Sequence, residues 1–213
     1  MTRILLVRHG QTEWNREACP ERSRRERFRG QVDVPLNELG YAQAQAVARR
    51  LADWPIAAVY SSPLSRALET ARPTAEAHGL NVQPEPGLLD INYGAWSGLS
   101  VEEARDRDPD LLALWSADPG RVRFPAGESL AEVQTRALAT VNRLAEQYPG
   151  QTVLAVGHVV VNRVLLLGLL GAPLSSFWAV GQDNGAINVL EWWHGRPMIT
   201  RLNDTCHLER LSS

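Results

Sequence analysis

Ile4-Leu5-Leu6-Val7-Arg8-His9-Gly10-Gln11-Thr12 joins four consecutive apolar residues to a basic pair and a glycine. An apolar run without polar alternation is the pattern of a strand buried on both faces, as in a parallel sheet. The polar residues then fall at the carboxyl end of the strand, where ligands bind in an open α/β sheet. Thr152 to Val156 repeats the arrangement and is followed by Gly157-His158. His9 and His158 are therefore expected at two strand ends, facing each other across one crevice.

Outward from these anchors the chain alternates strand and helix. Leu39, Ala42, Ala46, Val47 and Leu51 recur at helical spacing and predict a helix over about Asn37 to Trp54. Ala57 to Tyr60 reads as the next strand. Ser62-Pro63 reads as the start of a second helix, with serine as N-cap and proline at the first helical position, running towards Gly79. From Asn81 to Pro125 the chain is loop-like, punctuated by Pro84, Pro86, Pro109, Pro119 and Pro125, with a short polar helix near Val101 to Arg107. A long helix spans roughly Ser129 to Tyr148 and ends at Pro149-Gly150. The apolar stretch Val159 to Leu170, interrupted by Asn162-Arg163, is too short to span a bilayer and predicts a buried helix from about Val160. Ile187 to Trp193 and Met198 to Leu202 predict two final strands around the turn His194-Gly195-Arg196-Pro197. This β-α-β-α order predicts an α/β fold with a largely parallel sheet covered by helices.

A chain of 213 residues suits a single domain, and 44% hydrophobic with 22% charged residues is ordinary globular composition. The formal net charge of -2 gives no reason to expect nucleic acid or an anionic membrane as partner. Cys19 and Cys206 stand far apart in no metal-binding spacing, so no metal site or disulfide framework is expected, and a reducing, cytoplasmic setting is the default. The first residues show no signal-peptide layout. Glu17 to Arg29 mixes Arg22, Arg24, Arg25, Arg27 and Arg29 with acids, the pattern of a solvated surface segment. The competing reading is a basic gate that attracts phosphorylated substrates.

Arg66 falls in the first turn of the second predicted helix. A cation there works against the helix dipole, so an anionic partner is expected: a bound anion, or the neighbouring Glu69. Arg8 and Arg66 with His9 and His158 suit a phosphate dianion, because guanidinium forks match phosphate oxygens and histidine can split one transfer into two steps. Phosphoryl transfer asks a protein mainly for positioning and charge stabilisation.

These residues resemble the signature of the histidine phosphatase superfamily, also called the phosphoglycerate mutase-like family. The resemblance runs through Leu6 to Thr12 with Asn15, Asp33 to Gly40, Tyr60 to Ala67, Gly94 to Gly98, Gly127-Glu128-Ser129 and Val156-Gly157-His158, in order along nearly the whole chain. It implies a three-layer sandwich with a mixed, mostly parallel central sheet, one domain over residues 1–213, and a metal-independent phosphatase that needs no cofactor. His9 would be the nucleophile that becomes phosphohistidine. Arg8, Arg66 and His158 would surround the phosphoryl group, Asn15 would add a polar contact, and Arg29 would add charge at the pocket mouth or point to solvent. His9 must be neutral to attack, whereas a protonated His158 would serve better beside a phosphate.

The chain departs from the family pattern in four places. Asp90 stands where a glutamate usually serves as general acid; Arg29 replaces a frequent glutamine; Ala18 to Glu26 is extra length, read as an insertion; Val159-Val160 replaces a frequent Gly-Gly. The segment at about 97–128 is expected to act as a lid that selects substrate, with Trp96, Trp115 and Phe124 as a candidate apolar wall. Trp178, Trp192 and Trp193 mark a packed C-terminal layer or a subunit contact, in a monomer or homodimer. The expected partner is a small phosphorylated metabolite: a phosphoglycerate, a sugar phosphate or a nucleotide-precursor phosphate such as ribazole phosphate. A phosphoglycerate mutase is the alternative, disfavoured because the proline-rich segment that such mutases carry is missing; a weakly catalytic phosphate-binding protein comes third. If Asp90 is the general acid, Asp90→Asn leaves phosphorylation of His9 detectable in a burst assay while slowing turnover of esters with poor leaving groups. Unchanged turnover of such esters counts against the assignment.

Overall fold

Thr2–Arg8 forms strand β1 in the interior of a six-stranded sheet, and Ile4, Leu5, Leu6 and Val7 are wholly buried. The structure, a computed structural model, describes residues 1–15 and 27–211. The extra length at 18–26 lies outside the described residues. After β1 come α1 (Glu38–Leu51), β2 (Ile56–Ser61), α2 (Ser65–Ala77), β3 (Val82–Pro84), α3 (Val101–Arg107) and α4 (Pro109–Ala117). The chain continues through α5 (Leu130–Gln147), β4 (Thr152–Gly157), α6 (Val159–Leu170), β5 (Ile187–Trp193) and β6 (Arg196–Asp204).

The sheet order is β3-β2-β4-β1-β5-β6. β3, β2, β4 and β1 pair in parallel, whereas β5 runs antiparallel to both β1 and β6. The β-α-β-α order of the sequence predicts a largely parallel sheet, and the mixed character is the one the family resemblance implies. Successive β1 side chains serve opposite layers. Leu5 and Val7 pack with Val47, Leu51, Ala67 and Ala71 of α1 and α2; Ile4 and Leu6 belong to the core of Val133, Val141, Val164 and Leu165 from α5 and α6. Each such side chain contributes roughly 1.5–3 kcal/mol by leaving water, which is why the unbroken apolar run selects the middle of a three-layer sandwich. No helix among the described residues is long and apolar enough to cross a membrane.

Local signals set most helix starts. Asn37 caps α1 by accepting from the Gly40 amide at 2.9 Å, and Ser129 forms a capping box with Glu132 at the start of α5. Gly171, at φ 65°, ends α6 in a left-handed conformation suited to a residue without Cβ.

Two predicted features differ. Ser62 does not cap α2, which begins at Ser65; Asp33 Oδ1 accepts from the Ser65 amide at 2.9 Å instead, and the Ser62 hydroxyl is engaged by His158. The stretch predicted to be loop-like also contains the short strand β3, paired with β2, and α4, the latter capped by Asp108 with Pro109 in its first turn. The Leu111-Leu112-Ala113-Leu114-Trp115 run of α4 is apolar almost all round, which hides helical periodicity. Trp192 is buried in the C-terminal layer, whereas Trp178 and Trp193 are exposed.

The loop after β1 presses directly on the start of α1. A Cβ at Gly40 would lie 2.1 Å from the Gln11 carbonyl oxygen, and one at Gly10 would lie 2.5 Å from that of Gly40. Both obstructing atoms are backbone, so neither can swing away. Gly40→Ala is expected to cost about 1–3 kcal/mol of stability through overpacking, measured as a lower urea midpoint; an unchanged midpoint would show that the loop relaxes freely.

Candidate active site

Strand register brings the two histidines together. Arg8 of β1 is the register partner of Gly157 of β4, and the His9 amide donates to the Gly157 carbonyl at 3.0 Å. The residues that follow, His9 and His158, therefore meet beyond the same sheet edge, with ring centroids 5.1 Å apart. On the other side of β4, Ser61 pairs with Val156, and the Ser62 amide donates to the Val156 carbonyl at 2.9 Å. That places Ser62 and Arg66, in the first turn of α2, at the same edge.

The hydrogen bonds specify opposite tautomers. His9 Nδ1 lies 2.6 Å from the Gly10 carbonyl oxygen, which can only accept, so Nδ1 carries the proton. Nε2 is then an unprotonated lone pair, and it is buried without a hydrogen-bond partner among the described residues. At His158 the order reverses. Arg66 Nε donates to Nδ1 at 3.2 Å, so the proton sits on Nε2, which donates to Ser62 Oγ at 2.7 Å. Burial, reinforced by nearby arginines, holds both imidazoles well below the ordinary histidine value of 6.5. His158 is therefore neutral in this site, contrary to the cation expected from the sequence: an arginine already donates to the nitrogen that would take the second proton.

Three guanidiniums supply the positive charge instead. Arg66 is fully buried, donating from Nη1 to the Val32 carbonyl at 2.8 Å and from Nη2 to that of Gly30 at 2.6 Å. Desolvation, and next the charge of Arg29, lower its pKa to about 10, so it stays charged at neutral pH. Asp90 Oδ2 lies 3.7 Å from Nη2; Glu69 pairs with Arg72 instead. Arg8 is buried and donates to the Gln182 carbonyl at 2.5 Å. Arg29 is buried as well and donates to Thr12 Oγ1 at 3.1 Å, so it belongs inside the site and not at a solvent-facing rim.

Asp90 is almost fully buried, with Oδ1 accepting from the Ile91 amide at 3.0 Å and Oδ2 4.0 Å from His158 Nδ1. Burial raises its pKa above the ordinary carboxylate value, against the pull of Arg66 and Arg29. Asn15 uses both ends of its amide: Oδ1 accepts from the Thr12 amide at 2.7 Å, and Nδ2 donates to Asn184 Oδ1 at 3.0 Å. Asn184 in turn donates to the His9 carbonyl at 3.0 Å.

A cavity of about 710 Å³ opens onto Arg8, Asn15, Arg29 and Asp90. His9, Arg66 and His158 are fully buried. Trp115 lines the cavity together with Trp14, Phe28, Tyr93, Phe177 and Trp178, whereas Trp96 and Phe124 pack behind it in edge-on contacts with Phe28 and Trp115. Among the described residues, no group of three or more His, Cys, Asp or Glu side chains could hold a metal ion. His78 and His207 bond to the carbonyls of Leu51 and Gly185, and His194 sits in the β5–β6 turn.

The sequence pointed to neither Ser62 as the partner of His158 nor Asn184 as a brace for His9. Asn184 reaches the site because β5 runs antiparallel beside β1, which brings the residues before β5 to the carboxyl end of β1. The strand run Ile187 to Trp193 was legible; its pairing was not.

The sequence model of the histidine phosphatase superfamily (branch 1) matches residues 4–205. Phosphoserine phosphatase 1 of Hydrogenobacter thermophilus is 38% identical over 98% of this chain and 95% of its own length. Bacillus stearothermophilus YhfR superposes with a TM-score of 0.90 at 30% identity, covering 98% of this chain and all of that one (100%). A phosphoserine phosphatase from Entamoeba histolytica, solved with 3-phosphoglyceric acid, superposes at 0.84 with 30% identity, covering 98% and 100%.

The buried neutral histidines carry a pH signature. An unfolded imidazole binds a proton as pH falls below about 6.5, whereas His9 in the fold does so only at lower pH. Each histidine therefore contributes stability present above the unfolded value and lost as pH falls towards the folded one. His9→Gln is expected to flatten the slope of unfolding free energy against pH below about 6.5 by up to about 1.4 kcal/mol per pH unit, read from urea titrations at several pH values. An unaltered slope would mean that His9 is protonated in the fold.

Proposed function

The chain belongs to the histidine phosphatase superfamily, branch 1, and is a phosphoric monoester hydrolase; on that premise we propose that His9 Nε2 is its nucleophile and Asp90 its general acid. The observation that carries this is the His9 tautomer. The Gly10 carbonyl holds the proton on Nδ1 and leaves an unprotonated nitrogen among arginines. As Nε2 bonds to phosphorus the ring becomes cationic, and the same carbonyl stabilises the developing charge.

The chemistry follows in two balanced steps. In the first, Nε2 bonds to phosphorus, the ester P–O bond breaks, and the leaving oxygen takes the proton of Asp90, which burial favours in its neutral form. In the second, the Asp90 carboxylate takes a proton from water, the water oxygen bonds to phosphorus, and the P–N bond breaks to release phosphate. Arg8, Arg29 and Arg66 offset the negative charge of the transferring group throughout. Asn15 holds the loop after His9, and His158, fixed by Ser62 and Arg66, supplies neutral polar contact.

As substrate class we take small alkyl phosphomonoesters that bear a carboxylate, with phosphoserine as the first to test. The named activity of the relative at 38% identity and the acid bound to the Entamoeba chain support this choice. We read residues 1–213 as a single histidine phosphatase domain in which the segment at about 97–128 helps select substrate, on the ground that Trp115 of α4 faces the cavity.

With chelator present, the protein is expected to hydrolyse an aryl phosphate and phosphoserine, and His9→Ala to lose about three orders of magnitude or more of that rate. Turnover that survives in His9→Ala would exclude the phosphohistidine route. Interconversion of phosphoglycerates that requires a bisphosphoglycerate primer, without release of phosphate, would identify a mutase.

A further inference from the structure

Asp90 stands in an irregular stretch between a short 3-10 turn at Pro86–Leu88 and another at Gly94–Trp96, with neither strand nor long helix to hold it. One methylene separates its carboxyl from Cα, so the carboxyl goes where the backbone puts it. That backbone is held from α5. Arg136 donates from Nη1 to the carbonyls of Gly87 at 3.1 Å and Leu89 at 2.6 Å, and from Nη2 to the carbonyl of Asp90 at 3.1 Å. Its other edge lies on Glu128, with Nε at 3.0 Å from Oε1 and Nη2 at 3.1 Å from Oε2. Glu128 grips the far side of Asp90: Oε2 accepts from the Asn92 amide at 2.8 Å, and the Glu128 amide donates to the Asn92 carbonyl at 2.8 Å. One ion pair thus fixes backbone groups on both flanks of Asp90 and at Asp90 itself.

Neither partner does this by charge alone. Both are about a quarter exposed, 24% each, so water damps their attraction. What the pair adds is direction: a planar fork with several fixed donors can hold three carbonyls and a carboxylate together, which a lysine ammonium cannot. The hydrogen bonds of Arg136 go to Glu128 and to the backbone carbonyls of Gly87, Leu89 and Asp90, so it reaches the chemistry through Asp90.

We propose that Arg136, braced by Glu128, is a positioning residue that sets the reach of the Asp90 carboxyl towards the leaving oxygen. This rests on the reading of Asp90 as general acid. A general acid matters most for an alkyl ester, whose leaving oxygen needs a proton, and least for 2,4-dinitrophenyl phosphate, whose leaving group departs as a stable anion. A group that works through Asp90 should therefore share its selectivity.

The experiment measures kcat and KM on phosphoserine and on 2,4-dinitrophenyl phosphate for wild type, Asp90→Asn, Arg136→Lys, Glu128→Gln and the double variant Asp90→Asn/Arg136→Lys, with thermal melting of each. Arg136→Lys is expected to lower kcat on the alkyl ester by about a hundredfold, the scale of a displacement near 1 Å, with the dinitrophenyl ester and KM little changed. It should cost nothing further in the Asp90→Asn background. Glu128→Gln should move the same way and carries the test if Arg136→Lys does not fold. Equal losses on both esters, or losses that add to those of Asp90→Asn, would reveal a merely structural role and overturn the proposal. Selectivity in Asp90→Asn without any in Arg136→Lys and Glu128→Gln overturns the positioning claim alone. If Asp90→Asn itself treats the two esters alike, the general-acid reading falls and the positioning claim falls with it.

Discussion

The parallel register of β1 on β4 is the constraint on which the site depends. Arg8 opposite Gly157 delivers His9 and His158 to one edge, and Ser61 opposite Val156 delivers Ser62 and the first turn of α2 to the same place. Both faces of β1 are apolar, so hydrophobic alternation alone does not choose this register. The residues at its end do. A slip that drew Arg8 and His9 inward would bury a guanidinium between the helical layers without partners, a cost well beyond that of one misplaced aliphatic chain. Polar groups at strand ends thus define both the sheet and the pocket.

Within that frame, electrostatics separates groups of the same chemical type. Two buried histidines 5.1 Å apart are held as opposite tautomers, one by a carbonyl and the other by a guanidinium and a hydroxyl. Burial and the arginines keep both neutral, while burial favours the protonated form of Asp90. Backbone carbonyls of Gly30 and Val32 hold the buried charge of Arg66. The site is therefore ordered before a ligand arrives, and it favours an anion that can share its arginines.

Much of this was legible in the order of residues. Ile4 to Val7 and Thr152 to Val156 announce themselves as buried strands because they must shed water on both faces, and an arginine and histidine just beyond such a strand stand at the ligand-binding edge of an α/β sheet. Ile187–Trp193 was readable to the residue, and the helix Val159–Leu170 to within about one residue of its start, because both are strongly apolar runs. Ser62 misled because a serine before a proline satisfies the local rule for a helix start, while tertiary contact gave that hydroxyl to His158 and the cap to Asp33. Helix α4 escaped because a segment apolar on nearly every side carries no amphipathic period.

By itself, then, the sequence determined the layered α/β sandwich and the strand ends, and it singled out His9, Arg8, Arg66 and His158 as candidates at those ends, with Asp90 added by the family resemblance, because burial of apolar runs and local motifs are properties of neighbouring residues. Only the tertiary structure decided the charge state of His158, the inward place of Arg29, the brace of Asn184 on His9 and the grip of Arg136 and Glu128 on the Asp90 loop. Each of those depends on a hydrogen-bond direction or a desolvation between groups far apart in the chain, and such quantities exist only once strand pairing has set the distances.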